Sequence, residues 1–240
     1  SGGNITVGRS GLAQLVLSRD AFVVHGDRFV LRDQSAKRTI GGGHVIDPQS
    51  PKRGRSRPER INLLNAMQGE STAEILKSIA EVSDVGVALN QFLKSHNVPL
   101  SKSDTLLISL GLLCIGKNPH ERVFSNRRWD ALLERIIKAI TEFHNLKPNF
   151  VGPSIVEVQG AIVPFVEITI IDVAIKALIT DKRVFENGKK FHLPSYELYD
   201  FTIVNGFTLN DEIIGVLSIL RTEDLKKVLE SNNNDEMTGY

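Results

Sequence analysis

Residues 26–48, GDRFVLRDQSAKRTIGGGHVIDP, decide how the front of this chain is read. Phe29 and Leu31 alternate with Arg28, Val30 and Arg32, the period-2 pattern of a half-buried strand. Residues 33–38, DQSAKR, are short, polar and charged, as a solvent-facing turn should be. Thr39 and Ile40 then lead into Gly41-Gly42-Gly43, and the apolar pair Val45-Ile46 is stopped by Asp47-Pro48. The stretch reads as a β-hairpin with a charged tip. Its glycines predict a close backbone approach or a bulge. They do not form a phosphate loop, because His44-Val45 follows them rather than Lys-Ser/Thr and they do not open a helix.

Working outward, residues 12–18, LAQLVLS, and 21–24, AFVV, read as further strands separated by a turn at Asp20. Three or four strands before Pro48 would leave an unpaired sheet edge, which a soluble protein must cover. Beyond Pro48 lies PQSPKRGRSRPER, residues 48–60, with three prolines, five basic residues and one acid. It can be neither strand nor helix interior, and Pro58 suits the first turn of the helix that follows. The segment reads as a solvated linker or, more sharply, as a basic arm whose Lys52, Arg53, Arg55 and Arg57 meet RNA phosphates, since guanidinium groups bind phosphate as two-pronged donors, and both readings can hold together.

The rest of the chain turns helical. Ser71 followed by Glu74 is a capping box opening a helix with Ile75, Leu76 and Ile79 on one face. Residues 87–96 and 104–110 supply two more helices, with Ser101 or Ser103 as a cap and Gly111 as a stop. Residues 112–116 and 122–125 then read as a hairpin. The order recurs: a strongly amphipathic helix at 129–143, a short one near 154–159, and a third at 167–180 whose β-branched start would also allow a strand. The final hairpin turns at Asn187-Gly188. Three helices and a hairpin, twice over, is a tandem winged-helix reading. Residues 201–240 begin a third copy that the polar tail SNNNDEMTGY leaves incomplete.

The ordered agreement of GDRFVLRD, SAKRTIGGG and VIDP, followed by the basic RGRSRPER, resembles the end of domain III of translational GTPases of the elongation factor Tu type. It most resembles the selenocysteine-specific elongation factors, the SelB family. The resemblance implies a multidomain chain: the C-terminal half of a Tu-like antiparallel β-barrel over 1–48, a basic linker over 49–60, and α+β winged-helix domains over 61–128 and 129–200. The start of a truncated third would occupy 201–240. It further implies that the barrel's first half, the GTPase domain and the terminal module that reads the mRNA stem-loop lie outside this chain. The whole factor would deliver selenocysteyl-tRNA to UGA codons on the ribosome, using GTP and Mg²⁺. This chain alone is then expected to be no enzyme, to hold no cofactor, and to act as a cytoplasmic monomer. In Tu-type factors the corresponding hairpin connection lies on the tRNA backbone, which makes Ser35, Lys37 and Arg38 the tRNA candidates. They also suit a solvated turn in which Arg38 pairs with Asp33.

Composition fits without deciding. The 240 residues are 41% apolar and 24% charged, ordinary for a soluble protein, and the net charge of +1 gives no global case for nucleic-acid binding. Any such case rests on local clusters, the third being the last hairpin, with Lys182, Arg183, Lys189 and Lys190. No apolar run is long enough to span a bilayer. The single Cys114 excludes an internal disulfide and, between Leu113 and Ile115, reads as a small buried hydrophobe. The six histidines fall in different elements with no i, i+4 spacing, so no metal site is expected. The competing class is a tandem winged-helix DNA-binding regulator or scaffold. A DNA reader needs a recognition helix bearing Arg, Lys, Asn or Gln; residues 104–110 and 168–180 are largely apolar or acidic, with only Lys176 basic.

Overall fold

The computed structural model describes residues 4–51, 53–148 and 150–196; the third copy expected from residue 201 lies outside them. The opening hairpin pairs β1 (Arg28–Arg32) with β2 (Thr39–His44) antiparallel, from Arg28 opposite His44 at the base to Arg32 opposite Thr39 at the tip. The glycines are explained by Phe29. A Cβ on Gly43 would stand 2.9 Å from the Phe29 ring, and one on Gly42 would stand 2.7 Å from the Phe29 carbonyl oxygen. The ring therefore lies over backbone that has no side chain, a known remedy for glycine in a strand.

The strands expected at 12–18 and 21–24 do not form. These residues carry no strand pairing, and no closed barrel is present among the described residues. Val16 and Phe22 are exposed there. The physical reason is that an apolar run makes a strand only where another strand meets its backbone groups.

The hairpin is docked by its base onto the first helical unit, which comprises α1 (Pro58–Ala66), α2 (Thr72–Val82), α3 (Leu89–Ser95) and α4 (Ser103–Leu110). Pro58 sits in the first turn of α1, and the Ser71–Glu74 capping box opens α2 in both directions. At α4 the expected serine cap is absent: Lys102 occupies the cap position, and the Ser103 hydroxyl instead donates to the Leu100 carbonyl at 2.7 Å, closing a 3₁₀ turn. Gly111 ends α4 at φ +61°, the left-handed conformation that glycine enters without a Cβ clash.

β4 (Leu113–Ile115) and β5 (Arg122–Phe124) form the expected hairpin, and the two-residue β3 (Val87–Ala88) adds a third strand beside β5. This small sheet lies between two cores. Val123, fully buried, packs with Ile75, Leu76, Ile79, Leu93 and Leu107 of the first unit. Its neighbour Phe124, also fully buried, packs with Trp129, Leu132, Ile170 and Leu178 of the second. Successive residues of a strand face opposite ways, so β5 supplies both cores at once. Leu113 and Ile115 join the second core, and Cys114 between them points the other way at the sheet's edge. Cys114 is thus exposed, not buried as expected from its apolar neighbours.

The second unit starts immediately with α5 (Asn126–Leu146), whose stripe of Leu132, Leu133, Ile136, Ala139 and Ile140 is buried. α6 (Ile155–Ala161) opens with a second capping box, Ser154–Glu157, and α7 (Ile168–Thr180) is helical throughout. Burial of Ile170, Ile171, Ala174, Ile175 and Leu178 against α5 and α6 outweighs the weak strand preference of its first turn. β6 (Phe185–Asn187) and β7 (Lys190–His192) close the unit. Asn187 pairs with Lys190, so the two turn residues are Gly188 and Lys189, one place later than the Asn-Gly signal suggests. Only Gly188 among them has positive φ, +64°, the placement of glycine in a type II′ turn.

Candidate nucleic-acid interface

The hairpin tip is organised by Asp33. Its carboxylate accepts the backbone N–H groups of Lys37 at 2.9 Å and Arg38 at 3.2 Å, and the Ser35 hydroxyl at 3.1 Å. The Arg38 N–H in particular, with the Ser35 hydroxyl and Lys37 N–H adding to it, holds the Asp33 carboxyl below the usual carboxylate range. Arg32 donates to the Ala36 carbonyl at 3.2 Å from the other side, and Ala36 sits at φ 56°. Asp33 therefore grips the backbone of Arg38 and not its side chain. Lys37 and Arg38 are exposed and make no ion pair among the described residues. The tip presents two cations on a fixed turn.

The arm divides. Lys52 lies outside the described residues. Arg53, Arg55 and Arg57 are exposed and make no ion pair among the described residues, around a turn closed by the Arg57 N–H on the Gly54 carbonyl at 3.2 Å. Arg60 differs: it ion-pairs with Asp47, both side chains nearly buried, and also reaches Ser50. It ties the start of α1 to the end of the hairpin segment and is unavailable to a ligand. The same junction holds His25, whose Nδ1 bonds the Ile46 carbonyl at 2.7 Å and whose ring stacks on His96 of α3 at 4.5 Å. Desolvation, with the His25 ring adding to it, pushes the His96 imidazole below its ordinary range despite the Phe92 carbonyl and Asp47.

The last hairpin is largely neutralised. Lys190 pairs with Glu157 at 3.0 Å, and Arg183 with Glu134 at 2.6 Å. Glu157 is pulled down to about 2 by the Ser154 backbone and hydroxyl donors, with Lys190 adding to them. Lys189 at the turn is exposed and makes no ion pair among the described residues. The tip and the arm lie at opposite ends of the β1–β2 hairpin, a strand length of roughly 17 Å apart, while Lys189 and Lys190 stand in the second unit.

Reasoning from sequence missed another group of arginines. Arg128 donates to the Glu81 carbonyl at 2.6 Å and to Asp84 at 2.5 Å, Arg135 to the Asp84 carbonyl at 2.7 Å, and Arg122 to Glu167 at 2.6 Å. These residues seam the two units. A signal existed in Arg127 and Arg128, which occupy the first turn of α5 with no acid beside them. A helix N-terminus disfavours cations, so their partners had to lie elsewhere.

Residues 2–52 match the family model described as the beta-barrel domain of the selenocysteine-specific elongation factor. The SelB resemblance is thereby shown for this segment. The chain is also 32% identical over 87 residues to the selenocysteine-specific elongation factor of Escherichia coli (strain K12), a match covering 36% of this chain and 14% of that protein. The tip residues Ser35, Lys37 and Arg38 fall inside the family-model match, as do the three glycines; Arg53, Arg55, Arg57, Lys189 and Lys190 fall beyond its residues 2–52. No helix among the described residues is long and apolar enough to cross a membrane.

Proposed function

We propose that this chain is a segment of a selenocysteine-specific elongation factor whose hairpin tip lies on the backbone of selenocysteyl-tRNA. Lys37 and Arg38 neutralise phosphates, the Ser35 hydroxyl adds a donor, and Arg53, Arg55 and Arg57, with Lys52, extend the contact. Such contacts position a ligand without reading its sequence. GTP, Mg²⁺ and their hydrolysis belong to another part of the factor, which works in the cytoplasm as a monomer. The first unit, in which α1 precedes α2, α3, α4 and the β4–β5 hairpin, and the second, with α5, α6, α7 and the β6–β7 hairpin, are winged helices. They space the tRNA-bound part from the ribosome-bound and mRNA-bound part, and the stem-loop reader lies in a further module. Lys189 and Lys190 contribute less than the tip, because Lys190 is already paired.

The observation that carries this reading is the contrast in pairing. Within the SelB-like segment the tip cations are held out on a fixed turn without acidic partners among the described residues, whereas Arg183 and Lys190 of the competing basic hairpin are spent on internal ion pairs. A DNA-reading regulator is disfavoured by α7, where the single basic residue, Lys176, is paired with Asp172 at 2.6 Å. Filter binding of the full chain to a tRNA and to duplex DNA over a salt series tests the proposal. Salt-sensitive tRNA binding stronger than DNA binding is expected; duplex DNA binding without tRNA binding would overturn it.

A further inference from the structure

Between the base of the hairpin and the α1–α2 turn runs a cleft of about 360 Å³, lined by His25, Arg28 and His44 on one wall and Gln68, Glu70 and Thr72 on the other. Arg28 and His44 are register partners, and directly opposite residues of an antiparallel pair share a face. Among the described residues Arg28 and Glu70 make no ion pair, either with each other or with another group, although both line this one cleft. The first N–H groups of α2 play no part, since the Ser71–Glu74 capping box occupies that end of the helix. What the cleft offers is a guanidinium and an imidazole, Arg28 and His44, among the residues of one wall and a carboxylate, Glu70, among those of the other.

That arrangement suits a ligand bearing an anionic group and a hydroxyl a few ångströms apart. A guanidinium binds phosphate oxygens with two parallel donors, and a carboxylate accepts a ribose hydroxyl. Resting on the RNA-backbone reading given above, we infer that this cleft takes one ribonucleotide unit of an RNA backbone. Its phosphate lies on Arg28 and His44, and its 2′-hydroxyl donates to Glu70. A deoxyribose has no group to give Glu70, so the cleft distinguishes RNA from DNA, which the tip cations cannot do.

The test uses the full chain with a fluorescein-labelled RNA stem-loop and a DNA stem-loop of the same sequence, the fold of each variant being checked by far-UV circular dichroism. Glu70→Ala is expected to weaken RNA binding roughly tenfold, the value of one hydrogen bond to a charged group, and to leave DNA binding unchanged or stronger. Arg28→Ala is expected to weaken both by similar factors. If Glu70→Ala strengthens RNA and DNA binding alike, Glu70 is only a repelling charge near the backbone and the inference is overturned. It is also overturned if neither variant changes binding while Lys37→Ala/Arg38→Ala does, in which case the tip reading stands. Absence of any RNA binding by the unaltered chain overturns both.

Discussion

Replacing Phe124 by alanine probes the seam on which the two helical units are built. The side chain is fully buried, on a three-residue strand whose preceding residue, Val123, belongs to the other core. Its ring meets the edge of Trp129 with centroids 5.6 Å apart. Truncating a buried phenylalanine costs about 3–5 kcal/mol through lost transfer energy and the cavity left behind. At a urea dependence of about 2 kcal/mol per molar, the midpoint should fall by about 2 M. Trp129 is the only tryptophan and adjoins the cavity, so its fluorescence reports the seam while far-UV circular dichroism reports the helices of both units. The two signals should move together in one transition, and Val123→Ala should shift that same transition. A midpoint change under about 0.5 M, or fluorescence and dichroism transitions that separate in the unaltered chain, would refute the idea that β5 couples the cores.

Gly152→Ala should be severe for its size, because a Cβ there would stand 1.8 Å from the Phe191 carbonyl oxygen; a loss of about 3 kcal/mol or a failure to fold is expected on thermal melting. Glu157 has its folded value lowered from 4.5 to about 2, so the unfolded chain takes up its proton first. Its contribution to holding α6 and Lys190 is complete above pH 4.5 and lost as the pH falls toward 2. Carboxylate NMR titration of Glu157 should show this, and Glu157→Gln should flatten the pH dependence of stability across that window. Arg60→Met should loosen the hairpin by about 3–5 kcal/mol, since it leaves Asp47 nearly buried without its partner; amide hydrogen exchange at Gly26 and Val45 would report the loss.

Local signals carried much of the fold. Ser71 and Glu74 announced α2 through chemistry confined to four residues, and the apolar stripe of α5 needed nothing beyond its own period. The charged tip was equally legible, because residues 32–38 hold the groups that close it. What failed to read were properties that depend on a distant neighbour. Val16 and Phe22 lie in apolar runs that read as strands, yet no strand among the described residues pairs with them. Cys114 sits in an apolar run, but its exposure follows from which strand lies beside β4 and from the sheet ending there. Arg60 counted as one more cation of the arm until Asp47 was found against it. The contents of the cleft likewise come from elements more than twenty residues apart, Arg28 and Glu70, that no spacing rule connects.

The most direct test of the tip-and-arm reading is the salt dependence of tRNA affinity. Lys37, Arg38, Arg53, Arg55 and Arg57 are exposed without ion-pair partners among the described residues. If all five meet phosphates, the logarithm of affinity should fall against the logarithm of salt concentration with a slope of about −4. Lys37→Ala/Arg38→Ala should make that slope shallower by roughly 1.5 to 2, whereas Lys189→Ala should change it by less than one such contact. An unchanged slope in the tip variant, with the fold intact, would contradict the assignment of the hairpin tip to the tRNA backbone.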